Sequence, residues 1–471
     1  MKNLFPLLLT IAGFFGLILS SCISDAVSTS SSDTLAFSRD TVNFDTVFTD
    51  LGTPTARLIV FNRNKKGVEI SSIKLRKEDS NFSINVDGRS GKVFNDVEIR
   101  GKDSIYVFVE CFIPETASAE PYLVEDELEF VTNGITQTVR LEAYGQNVTR
   151  LKATRITSDL TLSADRPIVV FDSLVVEKGV TLRILPDTKM LFHDGAELIV
   201  HGRIEAIGEP GKLIQMRGDR LDNVLPDVGY DILAGQWRGM RISAESFDNR
   251  LEYVDMRSTA IGLSLDSCAD LTKSKLLLRN SWLHNSQGSA LSAKYAKVEA
   301  FGCCFSEAGD AVVSLTGGDL RFVQCTFANN YLFSAIANPI VSLYHLLPDH
   351  TNDNDLPLMK ASFENSIIYG LTSDINEGDL TDSNVFFRFV SLKSAGEDDA
   401  NFINCLWDTD PLFLTDRPEY YFNYHVQPDS PVIGMGDPAY VNSECLIDID
   451  GVNRLAKGNP TLGAYAQPEE R

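Results

Sequence analysis

The sequence predicts an all-β chain in two parts, an antiparallel sandwich followed by a long solenoid of short parallel strands, and three observations lead there. Gly179-Val180-Thr181-Leu182 recurs sixteen residues later as Gly195-Ala196-Glu197-Leu198, each copy setting a Gly turn before a short alternating apolar run. That spacing leaves no room for a helix between parallel strands. Five later segments also align: Asn280-Ser281-Trp282-Leu283, Gly302-Cys303-Cys304-Phe305, Gln324-Cys325-Thr326-Phe327, Asn365-Ser366-Ile367-Ile368 and Asn404-Cys405-Leu406-Trp407. Their second positions lie 22, 22, 41 and 39 residues apart, read as one, one, two and two coils. Before residue 149, in contrast, apolar residues alternate with period two between hairpin-type turns, and no helical period is present.

Taken in order, residues 1–21 have the form of a signal peptide. Lys2 precedes an apolar core over 4–19, shorter than the roughly 20 residues of a spanning helix. The end of that core, Leu19-Ser20-Ser21-Cys22, resembles the lipobox of bacterial lipoproteins. The resemblance implies cleavage before Cys22 and acylation of Cys22, palmitate included, and several acyl chains give lasting membrane anchorage. Ile23 stands where that family's inner-membrane retention signal would place Asp, which implies the outer membrane and leaves the periplasmic and surface faces both open. Residues 22–33, with five Ser, one Thr and two charges after Ile23, read as a flexible tether.

Residues 34–148 carry alternating runs at 58–62, 69–75, 105–112, 128–131 and 138–143, separated by turns such as Asp87-Gly88 and Asn133-Gly134. Asn-Gly between two such runs is the strongest hairpin signal in the chain. Five or more strands at this spacing predict a sandwich. The pattern Phe44-Asp45-Thr46-Val47-Phe48, Val60-Phe61-Asn62, Tyr106-Val107-Phe108-Val109, Phe130-Val131-Thr132-Asn133-Gly134 and Tyr144-Gly145-Gln146 resembles immunoglobulin-like modules of the abnormal-spindle type. The resemblance implies a spacer or binding module, and no catalytic cluster stands here.

Residues 149–471 are the predicted solenoid, a three-sided coil in which like residues of successive coils stack about 4.8 Å apart. A companion ladder, Gly288-Ser289-Ala290-Leu291 and Gly309-Asp310-Ala311-Val312, is offset by 21 and marks a corner. Gly218-Asp219-Arg220-Leu221-Asp222, Gly235-Gln236-Trp237-Arg238-Gly239 and the ending Gln427-Pro428-Asp429-Ser430-Pro431-Val432-Ile433-Gly434, Asp448-Ile449-Asp450-Gly451-Val452-Asn453-Arg454 and Leu462-Gly463-Ala464-Tyr465 resemble the right-handed parallel β-helix proteins of the pectate-lyase-like superfamily, as found in lipoproteins of Bacteroidetes-type bacteria. That resemblance implies closing coils at the C-terminus. It implies no single activity, because the ending accompanies lyases, hydrolases and proteins without known chemistry. Two insertions, at 221–234 and 346–360, interrupt the coils, and such loops tend to carry function.

Candidate chemistry is sparse. Apart from Cys22 there are seven cysteines, an odd number. Cys303, Cys325 and Cys405 share the repeat position of Ser281 and Ser366, which fits a ladder of packed thiols, with a Cys303–Cys325 disulfide between coils as the alternative. Asp349, Asp353 and Asp355, with His350 and Asn354, offer hard oxygen ligands for Ca²⁺, or form a solvated loop. Asp448 to Asn453 departs from the EF-hand spacing and reads as a turn. Lys294, Lys297, Arg321 and Lys393 are candidate bases for the β-elimination known in the resembled superfamily, though no motif selects one. His193 and His201 are eight residues apart and could share a face, while Trp237 and Trp407 are sugar-stacking or packing residues. No Ser-His-Asp constellation, phosphate loop or dinucleotide fingerprint is present.

The formal net charge of −23 excludes binding of nucleic acid or anionic head groups through a basic surface. The expected function is therefore a lipid-anchored, non-catalytic envelope protein that binds glycan or another surface polymer, or acts as an adhesin. The alternatives are a polysaccharide lyase or glycosidase and a structural envelope protein without a saccharide ligand.

Overall fold

The structure, a computed structural model, describes residues 26–117, 120–225, 228–268, 270–344, 359–376 and 383–467. The signal peptide, Cys22 and the candidate ligands Asp349, Asp353 and Asp355 lie outside the described residues. The chain divides into two compact units between Asn147 and Val148. Strand predominates throughout, and among the described residues no helix is long and apolar enough to cross a membrane.

The first unit has two sheets. One runs Ala36–Phe37, Ala56–Phe61, Ser104–Cys111, Phe82–Val86, Arg89–Gly91, and the other Thr41–Phe48, Ile135–Gln146, Tyr122–Thr132, Val68–Leu75, Val93–Phe94. Both contribute to one core that includes Leu58, Val107, Leu128 and Val139. All pairs are antiparallel except Thr41–Phe48 beside Ile135–Gln146, which runs parallel. The Asn133-Gly134 hairpin pairs Thr132 with Ile135, and the two turn residues take φ of 52° and 77°, as a two-residue turn of the primed type requires. The segment expected as a tether is held from Val27 onward: Val27 bridges to Gly67, and Ser28 is buried with its amide on the Gly67 carbonyl.

The second unit is a β-helix-like stack of parallel strands on three faces. The first face carries ten strands, from Leu160–Leu162 through Thr181–Ile184 and Lys297–Phe301 to Phe402–Ile403. The long strand Ile168–Val176 serves both other faces. Its first half pairs with Lys189–Phe192 and begins the second face, and its second half pairs with Glu197–Val200 and begins the third. Thr149–Ile156 lies parallel along the open edge of Ile168–Val176 and covers both halves.

This topology revises the opening repeat. Gly179 and Gly195 both take positive φ, at 79° and 71°, but the strands that follow them lie on different faces. Sixteen residues is thus the distance between two corners, and the coil is 22 residues, as in Leu160, Leu182 and Ile204. The Gly288 and Gly309 ladder likewise sits in a register of 22, with Leu291 opposite Val313. Cys325 stacks directly on Ser366, because Thr326 pairs with Ile367. The 41-residue interval is therefore one coil, longer than the 22-residue repeat, whereas the next interval contains two coils, through Val390.

The aligned segments are the corner between the first and second faces. Asn280, Gly302, Gln324, Asn365 and Asn404 all have φ between 44° and 65°, a region that Gly and Asn enter at least cost. The residue after each points inward and bonds the carbonyl two residues back: Ser281 on Arg279 and Ser366 on Glu364 at 2.9 Å, and Cys303 on Phe301 and Cys325 on Val323 at 3.4 Å. A small donor is what the corner needs, and a thiol or a hydroxyl supplies it. All seven described cysteines are free thiols. Inside the stack like residues pile up, as Phe322, Phe363, Phe387 and Phe402 do at 4.8–5.1 Å with nearly parallel rings.

The expected closing coils are absent from the sheets. After Phe402–Ile403 the described chain adds only isolated bridges and a short 3-10 turn, and the segment from 411 to 467 lies along the outside of the second face. The reason is apolar residues on that outer surface: Cys304 and Ala328 are buried beneath Tyr424, Ile449, Ala464 and Tyr465. Arg454, fully buried, donates to the carbonyls of Cys445, Gly463 and Ala464 and holds this strap together.

Candidate functional site

The second face sends two rows of side chains outward. Asp255, Trp282, Cys304 and Thr326 stand in register, and beside them Arg257, His284 and Ser306, while Met256, Leu283, Phe305 and Phe327 of the same strands fill the core. The strap covers part of this surface. The remainder is the floor of a cleft of about 240 Å³, formed by Arg257, Trp282, His284, Asn285 and Glu307.

One wall is the insertion at 221–234, which contributes Val228, Gly229, Asp231 and Ile232. It is fastened to the floor by Asn285, whose Nδ2 donates to the Asp231 and Ile232 carbonyls at 2.7 and 2.9 Å, and by Ser258 Oγ on the Asp231 carbonyl at 2.8 Å. The Asp231 carboxylate accepts from Arg217 at 3.3 Å and forms an ion pair with Arg257 at 3.2 Å. Tyr331, Leu332 and Phe333 form a second wall, and Glu419, Tyr420 and Phe422 of the strap a third. Arg417 ties these last two together by donating to the Asn330 and Tyr331 carbonyls at 3.1 and 3.0 Å.

The floor is electrostatically graded. Burial alone would raise Asp255, but the Arg257 charge and the His284 hydrogen bond outweigh it and hold the carboxyl below its ordinary value. Burial depresses His284 despite its 2.9 Å contact with Asp255, so the ring is neutral at neutral pH and lies flat on Trp282, 3.9 Å between centroids. Trp282 Nε1 donates to Ser306 Oγ at 2.9 Å. Glu307 stands apart: it is 4% exposed, burial pushes its carboxyl up to about 8, and it is a neutral acid at pH 7. The Tyr424 hydroxyl donates to its Oε1, and its Oε2 has no partner among the described residues.

Backbone geometry places these groups. Ser258, Asn285 and Glu307 occupy one corner between the second and third faces, with φ of 64°, 54° and 43°. Such conformations are uncommon away from Gly and cluster at functional sites.

Most residues singled out from sequence lie elsewhere. Trp237 is fully buried, stacked on Phe192 at 3.9 Å with Nε1 on the Arg257 carbonyl, so it packs and is no sugar platform. Trp407 packs on Phe402 and bonds Asp398. His193 and His201 do not share a face: His193 follows the second-face strand Lys189–Phe192 and meets Asp219 at 2.7 Å, whereas His201 follows the third-face strand Glu197–Val200 and meets Ser243 and Glu245 at 3.0 Å. Lys294, Lys297, Arg321 and Lys393 scatter over different strands and none lines the cleft; Arg321 pairs with Glu364, and Lys393 donates to the Gly370 carbonyl. Asp448 caps its own turn, accepting the Asp450 and Val452 amides at 3.0 and 2.7 Å. Among the described residues no group of three or more His, Cys, Asp or Glu is placed to hold a metal. Of the two insertions, 221–234 is at the site, and 346–358 of the other lies outside the described residues. Sequence reasoning missed Arg257, His284, Glu307 and Tyr424, although extending the aligned segments by one or two residues reaches His284 and Glu307.

No family model and no curated protein matches this chain. Solved structures similar in part include a protein of unknown function from Porphyromonas gingivalis W83, 11% identical over 26% of this chain and 60% of its own, with a TM-score of 0.19. A family 123 glycoside hydrolase from Clostridium perfringens is 10% identical over 24% of this chain and 25% of its own, TM-score 0.17. The periplasmic chaperone SfaE is 16% identical over 24% and 57%, TM-score 0.17. The chain therefore spans less than two thirds of each of these structures, and at such TM-scores none carries an argument about this chain.

Proposed function

We propose that this chain is an outer-membrane lipoprotein, anchored through Cys22, in which an immunoglobulin-like module spaces a right-handed β-helix of the pectate-lyase-like type from the membrane, and that the cleft on the second face binds a glycan without turning it over. The carrying observation is the lining of the cleft. Trp282, Tyr331, Phe333, Tyr420 and Phe422 offer flat apolar surfaces beside Asp231, Arg257, Asn285 and Glu307, and pockets that mix aromatic faces with a few fixed polar groups suit sugar rings. Phe333 and Tyr420 are 47% and 43% exposed, so part of this aromatic surface is open to a ligand.

A second reading, a glycoside hydrolase, is favoured by Glu307 alone, since a carboxylic acid neutral at pH 7 is the proton donor such chemistry needs. A lyase is less favoured, because the cationic side chain in the cleft, Arg257, is engaged by Asp231 and Asp255. Ca²⁺ at Asp349, Asp353 and Asp355 belongs to the same set of proposals. The test is a glycan array with and without Ca²⁺, followed by incubation of each bound glycan and measurement of new reducing ends and unsaturated products. Binding abolished by Trp282→Ala without turnover supports the first reading; turnover lost in Glu307→Gln replaces it with the second; an empty array rejects both.

A further inference from the structure

Glu307 is a costly residue for this corner of the fold in two ways. Its backbone is in the left-handed region, at φ 43°, where Gly or Asn would be less strained. Its carboxyl is buried with one oxygen, Oε1, engaged by Tyr424 and the other, Oε2, without a partner among the described residues. Buried polar groups are nearly always satisfied, and an orphan at the floor of a cleft is a position where a ligand gains the hydrogen bond that the protein lacks. Tyr424 accepts from Asn330 Nδ2 at 3.3 Å and donates to Oε1, an arrangement that leaves the hydroxyl of the neutral acid on Oε2, where it offers a donor to an acceptor oxygen.

We propose that Glu307 reads the ligand of this cleft as a neutral carboxylic acid, its Oε2 hydroxyl donating to a ring or glycosidic oxygen of an uncharged saccharide while Tyr424 holds Oε1. The proposal rests on the glycan reading of the cleft. An uncharged ligand follows from the lining: Arg257 is already shared by Asp231 and Asp255, Glu419 adds a carboxylate, and among the described lining residues no cation is left over for an anionic sugar.

Binding then depends on pH through Glu307. The other titratable or charged groups around it are Cys304 on its own strand, His284, Arg257 and Asp255 on the strands beside it, Asp231 of the insertion, Tyr331, and Glu419, Tyr420 and Tyr424 of the strap. His284 is neutral from pH 7 upward, and burial moves Cys304 and Tyr331 further above their ordinary values. Ionisation of Glu307 removes the donor and sets a charge against the sugar oxygen.

The probes are four neutral hexasaccharides, laminarihexaose, cellohexaose, maltohexaose and mannohexaose, titrated into the full chain by calorimetry at pH 6.5, 7.5, 8.5 and 9.5. For the probe that binds, the Kd of the wild type weakens by about tenfold or more between pH 6.5 and 9.5, the size expected for one lost hydrogen bond. In Glu307→Gln, whose amide can donate at the same place, it stays within about threefold, and Glu307→Leu binds about tenfold more weakly than the wild type already at pH 6.5. A wild type that binds with a flat profile, or a Glu307→Gln profile that falls in parallel with it, overturns the role of Glu307 while leaving the glycan reading standing. No binding of any probe by the folded wild type overturns the neutral-saccharide reading and this proposal together.

Discussion

Replacing Glu307 by Gln should make the β-helix-like unit less sensitive to alkali. The carboxyl titrates near 4.5 when solvated and near 8 in its buried site. Between those values the folded chain holds a proton that the unfolded chain has released, so stability falls as pH rises, at about 1.4 kcal/mol per unit for one proton. The contribution is fully present below pH 4.5, declines across the interval, and is gone above about 8, a total of roughly 5 kcal/mol. Gln keeps the shape, its carbonyl still accepts from Tyr424, and it does not titrate. Urea unfolding of the full chain, followed by far-ultraviolet circular dichroism at unit intervals from pH 5 to 9, gives the difference between the two proteins. That difference should grow in favour of Glu307→Gln with each unit up to about pH 8 and then level off. A constant difference across the range, or one that shrinks with pH, would refute a buried neutral acid at this position.

Other substitutions test the packing around the site. Trp237→Ala removes a fully buried ring stacked on Phe192 and should cost about 3–5 kcal/mol in urea unfolding, whereas an exposed sugar platform would be almost neutral there. Cys303→Ser should cost less than about 1 kcal/mol, because the hydroxyl can make the carbonyl bond that Ser281 and Ser366 already make at the same corner; a loss of several kcal/mol would mean the thiol does something a donor cannot replace. Arg454→Met strips the donors from the Cys445, Gly463 and Ala464 carbonyls, so roughly 3 kcal/mol should be lost, and trypsin should cut within 411–467 sooner than in the wild type. Unchanged proteolysis would show that the strap is held by its apolar contacts alone.

The parallel stack was legible because a solenoid repeats the same local demand. Asn280, Gly302, Asn365 and Asn404 each meet a positive-φ corner with the residue types that tolerate it, and the small donor that follows is conspicuous in sequence. Hairpins such as Asn133-Gly134 are read for the same reason, since one turn type dictates its residues. Coil counting failed where one coil departs from the 22-residue length: the step from Cys325 to Ser366 looks like two coils in sequence and is one in space. The closing segment was misread because composition cannot distinguish a last coil from a strap. Both need short apolar stretches and turns, and only the unsatisfied outer row at Cys304 and Ala328 explains why the chain turns back along the second face.

The cleft illustrates why a site on a solenoid hides from sequence. Asp255, His284 and Glu307 come from three successive coils and converge only because the register between coils places Asp255 beside Trp282 and Trp282 beside Cys304. Each alone is an unremarked polar residue in an alternating strand. Tyr424, which engages Glu307, is 117 residues away and enters from a segment outside every sheet. The insertion at 221–234 was visible as an interruption, but its role depends on Asn285 and Ser258 gripping its backbone carbonyls. What does carry over is positional. On a stack of identical coils the walls of a cleft must come from departures from the repeat, and here the insertion, the 331–333 turn and the strap all depart on the same face. On a β-helix-like stack the cleft therefore forms on the face that collects the irregular segments, above the outward row beneath them, which here holds Arg257 and His284 with Glu307 at its edge and none of Lys294, Lys297 and Lys393.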